Sequence, residues 1–373
     1  MKTILDPDLY IGLMSGTSLD AIDCAIVEFS DDRFEIRHTY CAPFPSKIRD
    51  QLLRLAQLTP IRIDELCQIE SELTALYSDI VLTSLEKSKL TSNQITAIGC
   101  HGQTIRHSPN TNPAYTFQIG DSGKLSADTS ITVVGDFRRI DVALGGQGAP
   151  LAPAFHNFAF RSDSVDRAIL NLGGIANITH LPSNQTIPVT GYDTGPANTL
   201  LDSWIRKQHS EKYDLHGQWA SQGTILQTKL LKILEQEPYF NLAPPKSTGT
   251  DYFNINWVSR YFNQQDRPVD VQATLSELTA ATISTELNRA RSPNLECYIC
   301  GGGARNKDLI NRLKRLSPEI LFDTTDKLGA DPDFVEAIAF AWLARQTMHQ
   351  SSGNLPSVTK ARRNAILGGI YRA

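Results

Sequence analysis

The chain has 373 residues, of which 41% are hydrophobic and 20% charged, and its 36 basic and 40 acidic residues give a net charge of −4. This length exceeds what one hydrophobic core usually serves, so it predicts two domains. The acidic balance argues against a nucleic-acid partner. No apolar run reaches the ~18 residues of a membrane span, so no membrane partner is expected.

The first residues, MKTILDPDLYIG, lack the apolar segment of a signal peptide. The six cysteines are scattered and do not form a disulfide framework. Both observations predict a cytoplasmic protein. Cys297 and Cys300 form a C-x-x-C, but no second pair follows at zinc-site spacing, and the stretch is typical of a strand. We therefore expect two buried thiols there.

The first half of the chain predicts an α/β domain. Strand-like apolar runs occupy residues 10–14, 21–29, 95–100, 115–119 and 131–134. Between the second and third runs, apolar residues recur at helical spacing over residues 47–58 and from residue 63 to about residue 89.

The second half restarts with RAILNLGGIANITHL, in which a small-residue turn again interrupts an apolar run. A last helix is expected to begin with Asp331 as N-cap and Pro332 at its first position. Two similar halves predict two α/β domains, residues 1–160 and 161–373, with a cleft between them. The other predicted elements of this half are helices at 198–208, 225–236, 271–289 and 307–316 and a strand at 295–300.

Three small-residue turns have the composition of phosphate-binding loops. Phosphates need closely approachable backbone N–H donors, which GTS (16–18) and GG (173–174) would supply, although each turn alone also fits a tight hairpin. The Walker A pattern is absent, which argues against a P-loop NTPase. GGG (301–303) is half of a dinucleotide fingerprint, but Asn306 replaces its third glycine, which argues against a nicotinamide cofactor.

Several carboxylates follow predicted strands. Asp193, in GYDTGPAN, stands where an apolar stretch ends and a helix begins, which suits either catalysis or helix capping. Asp121 and Asp136 suit either sugar hydroxyls or turn formation. Asp20 and Asp23 follow the first turn, so one of them would hold Mg²⁺ through water, or they serve the turn and the strand edge.

Charged side chains elsewhere also have two interpretations. Arg138 and Arg139 suit a substrate carboxylate, which a guanidinium matches bidentately, or ion pairs with Asp136 or Asp141. Glu336 suits a sugar site or the amino end of a helix dipole. His101 and Gln103, in HGQT, would orient a substrate or shape the cleft.

Taken together, the motifs resemble the sugar kinase, Hsp70 and actin superfamily and, more closely, the anhydro-N-acetylmuramic acid kinase family. They cover residues 12 to about 344, and one departure is Ala21, where the family usually has glycine. The resemblance implies two actin-like (ribonuclease H-like) α/β domains with a nucleotide and sugar cleft. The stretches that carry it are GLMSGTSLDAID, GCHGQTIRH, FQIGD, DFRRIDVALGGQGAPLAPAFH, LNLGGIANIT, GYDTGPANTLLD, KSTGTDYFN, CGGGARN and DPDFVEAIAFAWLA.

The resemblance also implies an activity. The substrate would be 1,6-anhydro-N-acetylmuramic acid from peptidoglycan recycling, whose O6 is bonded to C1 and carries no proton. The enzyme would therefore open the bridge with water while phosphorylating the released oxygen, and needs a base near C1. The implied product is N-acetylmuramic acid 6-phosphate.

The resemblance assigns roles residue by residue. Asp193 carries over as the general base, and ATP and Mg²⁺ are the implied cofactors, with Asp20 and Asp23 as water-mediated metal ligands. The expected substrate contacts are Ser15, Asp121, Arg138, Arg139 and Glu336. The expected ATP-binding residues are Gly16, Thr17, Ser18, Leu19, Asp20, Ala21, Ile22, Asp23, Gly173, Gly174, Gly301, Gly302 and Gly303.

Two other functions remain as alternatives. One is a kinase of the same superfamily that phosphorylates an ordinary sugar hydroxyl; the other is an actin- or Hsp70-like ATPase that works as a binding machine. Dependence of ATP turnover on sugar separates kinase from binding machine. The expected partners are ATP and the sugar alone, in a homodimer. A serine hydrolase is excluded because Ser15 and Ser18 lack the G-x-S-x-G elbow.

Overall fold

The computed structural model describes residues 8–57, 60–244, 246–290, 292 and 294–373. The described chain divides into two compact units. One comprises the described residues up to Ala159 together with Phe334–Ala373, and the other lies within Phe160–Asp333. The predicted domains differ from these units at the carboxyl end, because residues 334–373 pack with the first unit.

The amino-terminal part of the first unit alternates strands and helices. Its longest helix buries apolar side chains at helical spacing, including Ile69, Leu73 and Ile80. Its elements are β1 (Asp8–Ser15), β2 (Ala21–Phe29), β3 (Phe34–Pro43), α1 (Ser46–Ala56), α2 (Ile63–Ser88), β4 (Ile95–Cys100), β5 (Gln103–Ser108), β6 (Tyr115–Ile119), α3 (Ser122–Thr129), β7 (Val133–Gly135), α4 (Arg139–Ala143) and α5 (Ala152–Phe160).

The second unit repeats this alternation. Its elements are β8 (Arg167–Leu172), β9 (Ile175–Leu181), β10 (Thr190–Pro196), α6 (Asn198–His209), α7 (Gln227–Gln236), α8 (Ile255–Val258), α9 (Pro268–Arg289), β11 (Glu296–Cys300), α10 (Lys307–Leu316) and β12 (Leu321–Thr324). The chain then returns to the first unit with α11 (Val335–Met348), α12 (Pro356–Thr359) and β13 (Gly369–Tyr371).

Both units are built on a sheet with the same order of five strands, to which the first unit adds β13 as a sixth strand, antiparallel to β7. In the first unit the order is β13-β7-β4-β1-β2-β3, and in the second it is β10-β9-β8-β11-β12. In each, a meander of three antiparallel strands continues into two parallel ones. The mixed α/β class that the sequence predicts is confirmed, and the two halves that look alike in sequence form equivalent sheets.

Two paired glycines bring α11 against the sheet of the first unit. Gly12 and Gly99 are partners in neighbouring parallel strands. A Cβ at Gly12 would lie 1.8 Å from the carbonyl oxygen of Ala337, and one at Gly99 would lie 2.0 Å from that of Phe340. Only glycine allows this approach of helix backbone to strand backbone.

The last long helix begins later than the sequence predicts. Asp331 and Pro332 do not form its first residues, because α11 starts at Val335. Asp331 instead accepts a hydrogen bond from the N–H of Asp333 (3.0 Å), and the carbonyl of Pro332 accepts one from Gly301 (2.8 Å). The segment before α11 is therefore held as a turn beside the third glycine loop.

Other boundaries lie close to the predicted ones. Residue 58, the predicted end of the first helix, lies outside the described residues. Cys297 and Cys300 are buried and are not disulfide-bonded, as expected. Within the described residues, every helix is too short or too polar to cross a bilayer.

Candidate active site

The first glycine loop connects β1 to β2 in the first unit. Leu19, at φ 56°, closes it with a hydrogen bond to the carbonyl of Gly16 (3.2 Å). Thr17 and Ser18 are exposed, and in the described part of the chain their N–H groups donate to no protein acceptor. The loop therefore offers two free N–H donors to an anion.

The residues that follow this loop differ in what their side chains can do. Leu19 and Ile22 are buried in the core of the first unit, so only their backbone can face a nucleotide. Asp20 is exposed, while Ala21 and Asp23 are half-buried at the start of β2. Their predicted roles toward ATP and metal stay predictions.

Ser15, at the end of β1, is engaged inside the protein. Its hydroxyl donates to Oε1 of Gln103 (2.8 Å) and lies 3.1 Å from the hydroxyl of Tyr77. Because one hydroxyl has one proton, Tyr77 donates to Ser15. The amide of Gln103 reaches the carbonyl of Gly16 (3.4 Å), so this buried chain supports the first loop.

Arg138 and His101 form a second group in the first unit. Nε of Arg138 donates to Nε2 of His101 (3.0 Å), and Nη1 donates to the carbonyl of Gly148 (2.7 Å). Burial and the nearby guanidinium hold the pKa of His101 well below its usual value, so the ring is a neutral acceptor. Burial also lowers the pKa of Arg138 to about 10, and the Glu336 carboxylate opposes that shift.

Glu336 stands in the first turn of α11, as the sequence predicts. Its side chain is exposed, yet the loss of water around its carboxyl raises the pKa of that group. The positive charge of Arg138 acts in the opposite direction and is the smaller effect. Arg138 thus bonds His101, and its charge and that of Glu336 act on each other; the role of Arg138 and Glu336 toward substrate stays a prediction.

The two remaining predicted substrate contacts have local partners. Asp121 caps α3 by accepting a hydrogen bond from the N–H of Lys124 (2.9 Å). Arg139 lies 3.5 Å from Asp136, an ion pair that the sequence left open as an alternative. A role of either residue toward substrate stays a prediction.

The second glycine loop connects β8 to β9 in the second unit. The carbonyls of Gly173 and Gly174 accept hydrogen bonds from the first N–H groups of α6, at Ala197, Asn198 and Thr199 (3.0–3.1 Å). Among the described residues, no acceptor takes the N–H of either glycine. The loop is fixed by its carbonyls and keeps its N–H donors free.

The third glycine loop lies directly against the second. A Cβ at Gly303 would lie 2.5 Å from Cβ of Leu172, the last residue of β8, and Gly301 needs glycine for its φ of 79°. A Cβ at Gly302 would meet nothing within 4 Å. Gly301 and Gly303 therefore serve packing, whereas Gly302 leaves open space that a ligand can occupy.

A cavity of about 460 Å³ adjoins this third loop. Its size is in the range of small-ligand sites. It is lined by Ala304, Arg305, Thr324, Asp326, Gly329, Asp331 and Pro332.

Asp193 lies within β10 and not, as predicted, at a strand end, and the register of β10 against β9 shifts between Asp193 and Gly195. Its Oδ2 accepts hydrogen bonds from the hydroxyl of Ser247 and the N–H of Thr248, both at 3.0 Å. Its carbonyl accepts one from the hydroxyl of Tyr239 (2.8 Å). Among the described residues, no group donates to Oδ1.

Burial raises the pKa of Asp193 to about 6, although the two hydrogen bonds to Oδ2 act in the opposite direction. At neutral pH the group is therefore mostly ionised and still close to its pKa, which suits a general base. The capping role that the sequence left open is not observed, because the residue before α6 is Ala197.

Sequence reasoning did not single out the residues that hold Asp193. Ser247 and Thr248 follow it by more than fifty positions, and Tyr239 lies in a different segment. The only available signal was KSTGTDYFN, one of the stretches that carry the family resemblance.

The residues present fit a nucleotide with Mg²⁺. Free N–H donors at the first and second loops and open space at Gly302 suit phosphates. No group of three or more metal-ligating side chains occurs among the described residues. Mg²⁺ prefers one or two carboxylates together with phosphate oxygens, so exposed Asp20 has the chemistry of such a ligand, and its role toward the metal stays a prediction.

Comparison with known proteins gives consistent matches. The sequence model of the family described as "Anhydro-N-acetylmuramic acid kinase" matches residues 8–373. A protein of that name from Coxiella burnetii is 50% identical over 363 residues, covering 97% of each chain. Another from Saccharophagus degradans is 47% identical, covering 98% of this chain and 100% of that protein. The solved structure "Activator of the 2-Hydroxyisocaproyl-CoA Dehydratase from Clostridium difficile with bound ADPNP" matches at 14% identity and a TM-score of 0.45, over 92% of this chain and 97% of that one.

Proposed function

Because the chain belongs to the anhydro-N-acetylmuramic acid kinase family, we propose that it converts 1,6-anhydro-N-acetylmuramic acid, ATP and water to N-acetylmuramic acid 6-phosphate and ADP, with Asp193 as the base. The observation that carries the proposal is the Asp193 carboxylate. One oxygen is held by two donors, the other is without a donor among the described residues, and the pKa is raised to about 6.

The chemistry follows from the substrate. Water must attack C1 because O6 is tied in the anhydro bridge, and Oδ1 of Asp193 takes a proton from that water. The C1–O6 bond breaks as O6 forms its new bond to the γ-phosphorus of ATP, and ADP leaves. The N–H groups of Thr17 and Ser18 and of the second loop would hold phosphate oxygens.

The remaining groups would bind and orient the metal ion, the sugar and the nucleoside. Bound Mg²⁺ neutralises phosphate charge, and Asp20, with Asp23, would hold it through water. Arg138 and Glu336 would bind the carboxylate and hydroxyl groups of the sugar acid, with neutral His101 supporting the guanidinium. The cavity that Ala304 and Arg305 line, next to the third loop, would take the nucleoside.

We also propose a cytoplasmic homodimer. The six cysteines, all of them within the described residues, form no disulfide, which supports a reducing compartment. The dimer rests on the superfamily resemblance alone, and sedimentation of the full chain tests it.

The direct test is product formation by wild type and by Asp193→Asn, followed by mass. The amide keeps the shape of the carboxylate but cannot take a proton from water, so we expect a loss of at least ~10²-fold with ATP binding retained. The matched control is Asp163→Asn, at an exposed aspartate that bonds only Gln185 among the described residues; it should keep full activity.

Other outcomes would overturn the proposal in different ways. Full activity of Asp193→Asn would show that Asp193 is not the base. Phosphorylation of a free sugar but not of the anhydro sugar would support the kinase of an ordinary hydroxyl. ATP turnover that no sugar alters would support the actin- or Hsp70-like machine.

A further inference from the structure

Residues 246–248 form three hydrogen bonds with two atoms of Asp193. The backbone N–H of Asp193 donates to the carbonyl of Lys246 (3.0 Å), while Ser247 and Thr248 both donate to Oδ2. The segment thus fixes the backbone and one carboxylate oxygen of the same residue. A carboxylate held in this way cannot rotate without losing two hydrogen bonds.

The segment is itself anchored by a buried ion pair. Nζ of Lys246 lies 2.9 Å from Oε1 of Glu286, and both side chains are almost fully buried. The same ammonium lies 5.1 Å from the ring centre of Tyr239, whose hydroxyl holds the carbonyl of Asp193. Arg289 and the hydroxyl of Tyr192 also bond to Glu286, so its carboxylate is fully engaged.

We propose that residues 246–248, anchored on Glu286, form the positioning segment of the base: Ser247 and Thr248 occupy Oδ2 and so dedicate Oδ1 to the attacking water. This inference rests on the proposed role of Asp193. Ser247 and Thr248 are positioning residues, since they act through Asp193.

The geometry also sets the acidity of the base. Both donors favour the ionised carboxylate, and burial opposes them. Removing one donor therefore raises the pKa of Asp193 further. The titratable groups of the second unit that pack around this carboxylate and its anchor are Lys246, Tyr239, Glu286, Arg289, Tyr192 and His180.

The test is the pH dependence of kcat for the full chain with both substrates saturating. Ser247→Ala removes one hydroxyl from an exposed position, so folding is not at risk. We expect the acid limb of its profile to move up by about 0.7 pH unit, the size of one hydrogen bond. Ser247→Thr keeps a hydroxyl and should return the limb to the wild-type position. Ionisation of ATP and sugar is common to all variants and cancels.

A matched control is Ser221→Ala, at an exposed serine whose hydroxyl, within the part of the chain that the structure describes, bonds only the carbonyl of Gln218. Its profile should coincide with that of wild type. If Ser247→Ala lowers kcat without moving the acid limb, while Asp193→Asn is inactive, the segment is merely structural and the inference is overturned. If Asp193→Asn itself keeps full activity, the proposed function fails instead.

Discussion

Asp193→Asn should make the protein more stable while making it inactive. Burial raises the pKa of Asp193 from 3.8 to about 6. A raised folded-state pKa contributes stability that is present below the unfolded-state value and lost as the pH rises through the folded-state value. Above pH 6 the folded protein therefore carries an ionised carboxylate that the unfolded chain accommodates more easily. An asparagine has no such cost at any pH.

The structure sets the size of the effect. A pKa of about 6 instead of 3.8 corresponds to ~3 kcal/mol between the fully protonated and the fully ionised limits. Between pH 8 and pH 5 the wild type should recover about 1.4 kcal/mol of this, and the variant none. The advantage of Asp193→Asn should therefore shrink by that amount over the interval.

Urea unfolding of both proteins at pH 8 and pH 5 measures the difference, with Asp163→Asn as the control for a removed surface charge. Other groups titrate equally in both proteins and cancel. If the stability difference between Asp193→Asn and wild type is the same at both pH values, the carboxyl has an ordinary pKa in the folded state. A base whose pKa is raised by burial would then be excluded.

Further predictions concern glycines and the buried ion pair. Gly302→Ala should raise the KM for ATP roughly tenfold with an unchanged melting temperature, since its Cβ meets no protein atom within 4 Å. Gly12→Ala should instead lower the melting temperature and leave the KM for ATP unchanged, because its Cβ would overlap Ala337 and cost ~2 kcal/mol or more of stability. Thermal unfolding and ATP titration of both variants measure the difference. Equal melting temperatures of the two variants would contradict both predictions. Glu286→Gln should cost ~3–5 kcal/mol by leaving Lys246 buried without its partner, and adding Lys246→Met should recover part of that loss in urea unfolding; an unchanged midpoint for the single variant would contradict this.

Much of the fold was predictable where the apolar pattern is strong and local. The strands at 21–29 and 95–100 and the helix at 307–316 have the predicted bounds. The start of α11 was not predictable, because Asp331 and Pro332 make a good local helix start. In the structure the carbonyl of Pro332 instead accepts a hydrogen bond from the N–H of Gly301, and the helix begins later. A tertiary contact of that kind leaves no local pattern in the sequence.

The candidate site shows the same limit. Asp193 and the glycine turns stand out as residue types in short motifs, so sequence reasoning finds them. The support of Asp193 by Ser247 and Thr248 bridges 54 and 55 positions, and no periodicity links residues so far apart. The ion pair with Asp136, which was left open as an alternative for Arg139, is present, whereas Asp121 caps α3, a role that was not among its predicted alternatives.

The return of residues 334–373 to the first unit affects how the chain folds during synthesis. The second unit is continuous in sequence and can form once it has left the ribosome. The first unit lacks α11, which covers Gly12 and Gly99, until about 190 further residues have been added. At 5–20 residues per second this takes roughly 10–40 s. The unit that is translated first is therefore completed last, and its uncovered sheet is the surface that a nascent-chain chaperone would meet.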